Sequence, residues 1–195
     1  MATQKLRRSV RGTPLRRWLL GAACVLAASV CSGTLSAPPA AEYQVKAAYL
    51  FNFGQFVEWP QHAYASPAAP FVIGIVGEDP FGKTLDDVIA GESFGGRPLV
   101  VRRFGSSEDI SACNILFIGS SEAGRLEKLL KLLQGRSVLT VTDIAGAERR
   151  GAIIALYNEN KRIRMRINVA AARASNLVIS SKLLRPAEIV GGDGG

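Results

Sequence analysis

Between Val45 and Val57 the large apolar residues recur at helical rather than alternating spacing. At 100° per residue Val45, Tyr49, Leu50, Phe53, Phe56 and Val57 fall within a sector of about 140°, with Gln55 and Glu58 opposite. The spacing predicts an amphipathic helix that lays this face on a sheet. Trp59-Pro60 is expected to end it, because proline disfavours the helical conformation in the residue before it and has no N–H to donate. Phe51 points to the same side as Gln55 and Glu58, so Phe51 and Trp59 are left as candidates for a second contact.

Beyond a Pro- and Ala-rich loop, FVIGIVG (71–77) is a nearly continuous apolar run, the pattern of a central strand buried on both faces. EDPFGKTLDDVIAG then reads as a helix with Asp79 as N-cap, Pro80 as first helical residue and Gly91 as stop. RPLVVRRF and NILFIGSS are the next strands. Ser120 or Ser121 caps a helix in which Leu126, Leu129, Leu130 and Leu133 repeat at helical spacing and Gly135 closes. SVLTVTDI is a further strand, and GAIIALYNENKRIRMRIN reads as two strands joined by a turn around Asn158–Lys161. The second of the pair alternates strictly, with Ile163, Met165 and Ile167 on one face and Arg162, Arg164 and Arg166 on the other. A small-residue helix, VAAARASNL, and the segment VISSKLLRPAEIV complete the domain. Strands alternating with helices predict an α/β fold: one domain over 42–190 with a largely parallel sheet flanked by helices and a C-terminal antiparallel hairpin, then a Gly-rich tail at 191–195.

Charge changes this picture only at the N-terminus. The chain carries +8, with 24 basic and 16 acidic residues, but six of the basic ones and no acid lie in residues 1–41. Removing them leaves 18 against 16, a net of +2, so the basicity belongs to the leader and nucleic acid is not the expected partner. A basic stretch, an apolar run from Trp18 to about Val30 and the small-residue zone CSGTLSAPPAA together describe an export signal, expected to be cleaved between about Gly33 and Ala41. RRWLL also resembles the twin-arginine pattern, with Leu15 where Ser or Thr is usual, so the route stays open between the two export systems. With the leader removed, Cys113 is the one remaining cysteine and no internal disulfide can form.

Catalytic chemistry is poorly provided for. GIVGEDPFG lacks the glycine spacing of a dinucleotide loop and places Glu78 and Asp79 where a phosphate requires N–H donors. IGSSEAGR offers Ser120 and Ser121 to an anion, but Glu122 intrudes. His62 is the only histidine and has no second ligand at motif distance. Asp86-Asp87 reads as a solvated helix face, and Cys113 has no neighbouring base to lower its pKa. No G-x-S-x-G occurs. The expectation is a protein that is not an enzyme and needs no cofactor or metal. Its best polar feature is the arginine stripe, either a solvated strand face or a surface for acidic groups, since guanidinium favours bidentate carboxylate or phosphate contacts.

The segments VKAAYLFNFGQFVEWP, FVIGIVGEDPFG, GRPLVVRRF, CNILFIGSSE, VLTVTD, RIRMRIN and ISSKLLRPAEIV, in this order, closely resemble the YfiR family of small periplasmic proteins. The resemblance covers nearly all of 42–190. It implies a single α/β domain that represses an inner-membrane diguanylate cyclase by binding its periplasmic sensor region, an outer-membrane lipoprotein sequestering the repressor, and cyclic di-GMP and biofilm formation as the output. Other membrane sensors are alternative partners, and a homodimer is compatible with the same reading. It implies that Arg166 and Asn168 belong to a polar pocket and that the helix from Phe51 to Trp59 faces a partner. The partner- or ligand-binding set is therefore Phe51, Trp59, Arg162, Arg164, Arg166 and Asn168. Some family members carry two disulfides, one joining the Cys113 position to the strand occupied here by Gly74; this chain lacks that partner and the whole second pair. The second reading is a periplasmic small-molecule-binding sensor whose pocket lies beside the aromatic helix.

Overall fold

In the computed structural model, which describes residues 40–105 and 109–191, the short apolar runs become the inner strands of one sheet. The predicted leader, apart from Ala40 and Ala41, and the tail beyond Gly191 lie outside the described residues. The chain runs α1 (Ala40–Phe56), β1 (Val57–Glu58), β2 (Phe71–Val76), α2 (Lys83–Ile89), β3 (Ser93–Phe94), β4 (Arg97–Phe104) and β5 (Ile115–Ile118). It continues through α3 (Leu126–Leu132), β6 (Leu139–Thr142), β7 (Ile154–Glu159), β8 (Arg162–Asn168), α4 (Val169–Ala174), β9 (Val178–Ile179), α5 (Ser181–Leu184) and β10 (Glu188–Val190). Eight strands form one sheet in the order β10-β8-β7-β6-β5-β2-β4-β3, and β1 and β9 make a second, two-stranded antiparallel sheet. Only the β7–β8 and β3–β4 pairs of the large sheet are antiparallel. This is the expected single-domain α/β fold with a largely parallel sheet. Among the described residues no helix is long and apolar enough to cross a membrane.

Period-two alternation deals the buried strands to two cores. Phe71, Ile73 and Ile75 of β2, Ile115 and Phe117 of β5, and Leu139 and Val141 of β6 face the layer containing α1. Val72, Val76, Leu116 and Ile118 face α3, whose Leu126, Leu129 and the following Leu133 are buried as their spacing predicts. Asn114 ties the entry ends together: its N–H donates to Val72 O at 2.9 Å, its Oδ1 accepts from Val72 N at 2.9 Å, and its carbonyl accepts from Leu139 N at 2.8 Å. The second core stops at the β6 position, so the outer face of the β7–β8 hairpin has no helix over it. Cys113 packs in that second core as a free thiol whose pKa is pushed up by burial, and it donates to Ile110 O. A Cβ on Gly74 would lie 3.1 Å from its Sγ, so the two positions that the resemblance pairs are neighbours, and the glycine leaves the thiol alone.

Several local expectations give way to tertiary packing. The buried sector of α1 comprises Tyr43, Lys46, Ala47, Leu50 and Phe53, centred about 70° round from the predicted face at 100° per residue. Val45 is 45% exposed and Phe56 and Tyr49 sit on the flank. The reason is that the sheet and the β3–β4 hairpin approach α1 along its small residues, Ala47 and Gly54, which a hydrophobicity pattern ranks below Val and Phe. The helix also ends at Phe56 rather than at Trp59-Pro60: Phe56 O accepts from Ser180 N at 2.8 Å, and Val57 and Glu58 pair with Ile179 and Val178. Asp79 does not cap α2, whose N-cap is Gly82 at φ 51°. Instead Asp79 Oδ1 accepts from Phe81 N and Gly82 N, and its other oxygen accepts from Arg103 Nε at 2.7 Å, which holds the turn in place. Ser121 likewise serves the β2 turn, accepting from Glu78 N at 2.9 Å, and α3 begins only at Leu126.

Candidate functional site

A short strand beside a long one creates the most polar concavity of the molecule. β7 pairs with β6 at only two positions, Val141↔Ile154 and Thr142↔Ala155, and then runs on through Leu156 to Glu159 past the end of β6. Its antiparallel partner β8 extends with it, turning at Asn160 and Lys161, both in the left-handed region at φ 51° and 63°. After β6 the chain turns away at Asp143. Thr142 fixes that turn by donating to Ile118 O at 2.7 Å and accepting from Ile144 N at 3.1 Å. Between this turn, the hairpin and the first turns of α1 lies a cleft of about 300 Å³ lined by Glu42, Tyr43, Lys46, Asp143, Glu148 and Arg166, among others. It opens at the carboxyl end of a parallel strand, where ligands of open α/β sheets gather.

Lys46 organises the charge. Its side chain is 3% exposed, with Nζ 2.8 Å from Glu42 Oε1 and 2.8 Å from Asp143 Oδ2, and 4.3 Å from the Tyr43 ring centre. The Tyr43 hydroxyl donates to the same Asp143 oxygen at 2.8 Å. Burial first, and then this bond to Asp143, push the Tyr43 phenol well above its ordinary range, so it stays a donor. Burial acts most strongly on Glu42 and would raise its pKa, but the bonds from Lys46 and from Asn158 Nδ2 at 3.0 Å outweigh it and hold the carboxyl below its ordinary value. Two acceptors stay without a hydrogen-bond partner among the described residues: Asp143 Oδ1 and Glu148 Oε2, on side chains that are 7% and 1% exposed. A larger hollow of about 440 Å³ between α3 and α4 has neither of these orphaned oxygens in its lining. The cleft is built to receive a donor.

The residues singled out in the sequence are not all brought here. Arg166 lines the cleft, its Nε donating to Glu188 Oε2 at 2.9 Å and its guanidinium lying 4.1 Å over the Tyr157 ring. Arg162 and Arg164 follow it outward on the uncovered strand face, both exposed, with Arg164 Nε 3.6 Å from Glu159. Asn168 is one step back: its Oδ1 caps α4 by accepting from Ala171 N, and its Nδ2 donates to Glu148 O at 2.8 Å, which positions the turn carrying Glu148. Phe51 and Trp59 are elsewhere and are not free anchors. Phe51 packs on Phe94 with ring centres 5.3 Å apart; Trp59 meets Phe71 edge-on at 4.9 Å and donates Nε1–H to Asn114 O at 3.2 Å. Both are half-buried because the β3–β4 hairpin and the entry end of the sheet close over that end of α1.

Sequence reasoning missed Tyr43, Lys46, Asp143 and Glu148. Lys46 carried a signal, since it sits between Tyr43, Ala47 and Leu50 on one helical face, and a lysine in that place demands a counter-charge. Asp143, directly after a wholly buried strand, was the available one. Nothing local marks Glu148. Elsewhere His62 Nε2 lies 3.4 Å from Ser137 Oγ. Among the described residues no three His, Cys, Asp or Glu side chains are placed to hold a metal ion.

A family model described as YfiR/HmsC-like matches residues 43–188, from the first turn of α1 to the first residue of β10. A search of curated proteins finds no match.

Proposed function

Because the chain belongs to the YfiR/HmsC-like family, a regulatory and non-catalytic one, we propose that it is a periplasmic inhibitory binding protein that represses an inner-membrane diguanylate cyclase by protein contact. Cyclic di-GMP and surface attachment are then its output, and an outer-membrane lipoprotein that sequesters the repressor is the natural release. The observation that carries the reading is the family match over 146 residues (188 − 43 + 1), almost the whole described domain. The uncovered face of β8 supports contact with an acidic partner surface: Arg162 and Arg164 stand exposed beside Tyr157, and Arg and Tyr are enriched where proteins meet.

The test pairs two charge reversals that touch no core residue. Arg162→Glu with Arg164→Glu, in a strain lacking the native gene, is expected to leave protein abundance unchanged and to raise cellular cyclic di-GMP to the level of the deletion. Normal abundance with full repression would remove this face from the interface. Export belongs to the same proposal: the mass of the protein recovered from cells is expected to correspond to a start between about Gly33 and Ala41, and an intact Met1 leader would oppose it.

A second reading, a small-molecule-binding sensor, is favoured by one observation, the two buried carboxylate oxygens left without donors in the cleft. The two readings are compatible, since a ligand seated beside Arg166 lies at the root of the arginine face.

A further inference from the structure

We propose that the cleft between α1 and the β7–β8 hairpin is a binding site for a primary ammonium group, received by Asp143 Oδ1 and Glu148 Oε2. A buried acceptor left without a donor costs stability, more so on a charged group, so two of them facing one cleft describe a missing partner. The charge count gives its sign. Glu42, Asp143 and Glu148 face Lys46 and Arg166 in the cleft lining, 3 − 2 = 1 net negative charge. Lys46 cannot supply the missing donors, because its Nζ is already shared between Glu42 Oε1 and the other oxygen of Asp143. Arg166 is turned to Glu188, and Arg149, with its side chain 78% exposed, reaches Glu148 only through Oε1 at 3.7 Å.

An anion is repelled by this lining. A divalent cation needs several oxygens converging on a point, and no three acidic side chains are so placed among the described residues. An ammonium carries one charge and three donors in a compact head, which suits two single oxygens from separate residues. The remaining walls, Ile144, Ala145, Ala155 and Leu156 with the Tyr157 ring, suit a short uncharged body attached to it. A volume of about 300 Å³ is that of a small-metabolite site. The proposal deepens the sensor reading and is independent of the cyclase one: a binding assay reads the cleft alone, and the cyclic di-GMP assay reads repression alone.

The probes are butylammonium chloride, butanol as its uncharged counterpart, Nα-acetyl-lysine amide to represent a lysine side chain from another protein, and calcium chloride. In calorimetry at pH 7 and low salt, the purified protein is expected to bind butylammonium and not butanol, and Glu148→Gln to weaken it by about tenfold or more. Equal binding of the blocked lysine assigns the ammonium to a partner's side chain, and preference for butylammonium assigns it to a free amine. Should Glu148→Gln fold poorly, carboxyl carbon shifts in the unaltered protein replace it, with Asp143 and Glu148 expected to move together on adding butylammonium. Binding of butanol as strong as that of butylammonium, tighter binding of calcium, unchanged affinity in Glu148→Gln, or carboxyl shifts elsewhere would each overturn the proposal.

Discussion

At the residue scale the decisive group is one lysine taken out of water. Lys46 is fixed by Glu42 one helical turn before it and by Asp143 from across the sheet, both at 2.8 Å. Such a pair is not a large net gain in stability, but breaking one side of it leaves the other charge stranded. Lys46→Met is expected to cost about 3–5 kcal/mol in urea unfolding, with Asp143→Asn in the same chain returning a good part of it. Acid acts on the same cluster. The folded chain holds Glu42 below its ordinary value of 4.5, so the unfolded chain binds the proton first, and the contribution of Glu42 is full above about pH 4.5 and lost as pH falls through the lower folded value. Asp86, held down chiefly by its bond from Arg103, adds a smaller loss in the same direction at its exposed site. Glu42→Gln is expected to flatten the acid limb of a stability-against-pH curve; an unchanged limb would show that other carboxyls set it.

At the element scale α1 is shaped by what it lacks. Gly54 lies within the helix, where alanine ordinarily stabilises by about 1 kcal/mol. Here a Cβ at that position would enter the Phe94 ring, which is itself held by Phe51 at 5.3 Å and Phe71 at 5.1 Å. Overpacking against a ring clamped on two sides outweighs propensity, so Gly54→Ala is expected to destabilise by about 1–3 kcal/mol. A rise in unfolding midpoint would mean that the β3–β4 hairpin yields freely. The same close approach explains why Phe51 is occupied within the fold and why the partner surface is argued from β8 instead.

Across the whole molecule, repression and folding must be told apart. Phe53 is fully buried in the core between α1 and the sheet. Phe53→Ala is expected to cost about 3–5 kcal/mol and to raise cyclic di-GMP only through loss of protein, whereas the reversals at Arg162 and Arg164 act at normal abundance. Immunoblotting beside the nucleotide measurement separates the two. A Phe53→Ala protein that accumulates normally yet fails to repress would tie the core of α1 to the partner contact directly.

The sequence by itself determined the strand runs, the hairpin with its alternating face, the α/β class and, through seven ordered segments, the family. These are properties of periodicity and of local residue chemistry, and they survive any arrangement of neighbours. Only the tertiary structure decided which 120° or so of α1 is buried, because that depends on where small residues let the sheet come close. It also decided the cleft. Lys46 and Asp143 are 97 positions apart, and Glu148 lies beyond a turn that Asn168, 20 positions further on, holds by its backbone. A counter-charge is required by electrostatics wherever a lysine is buried, but which carboxylate supplies it, and which oxygens are left over, is set by strand order and by β7 outrunning β6.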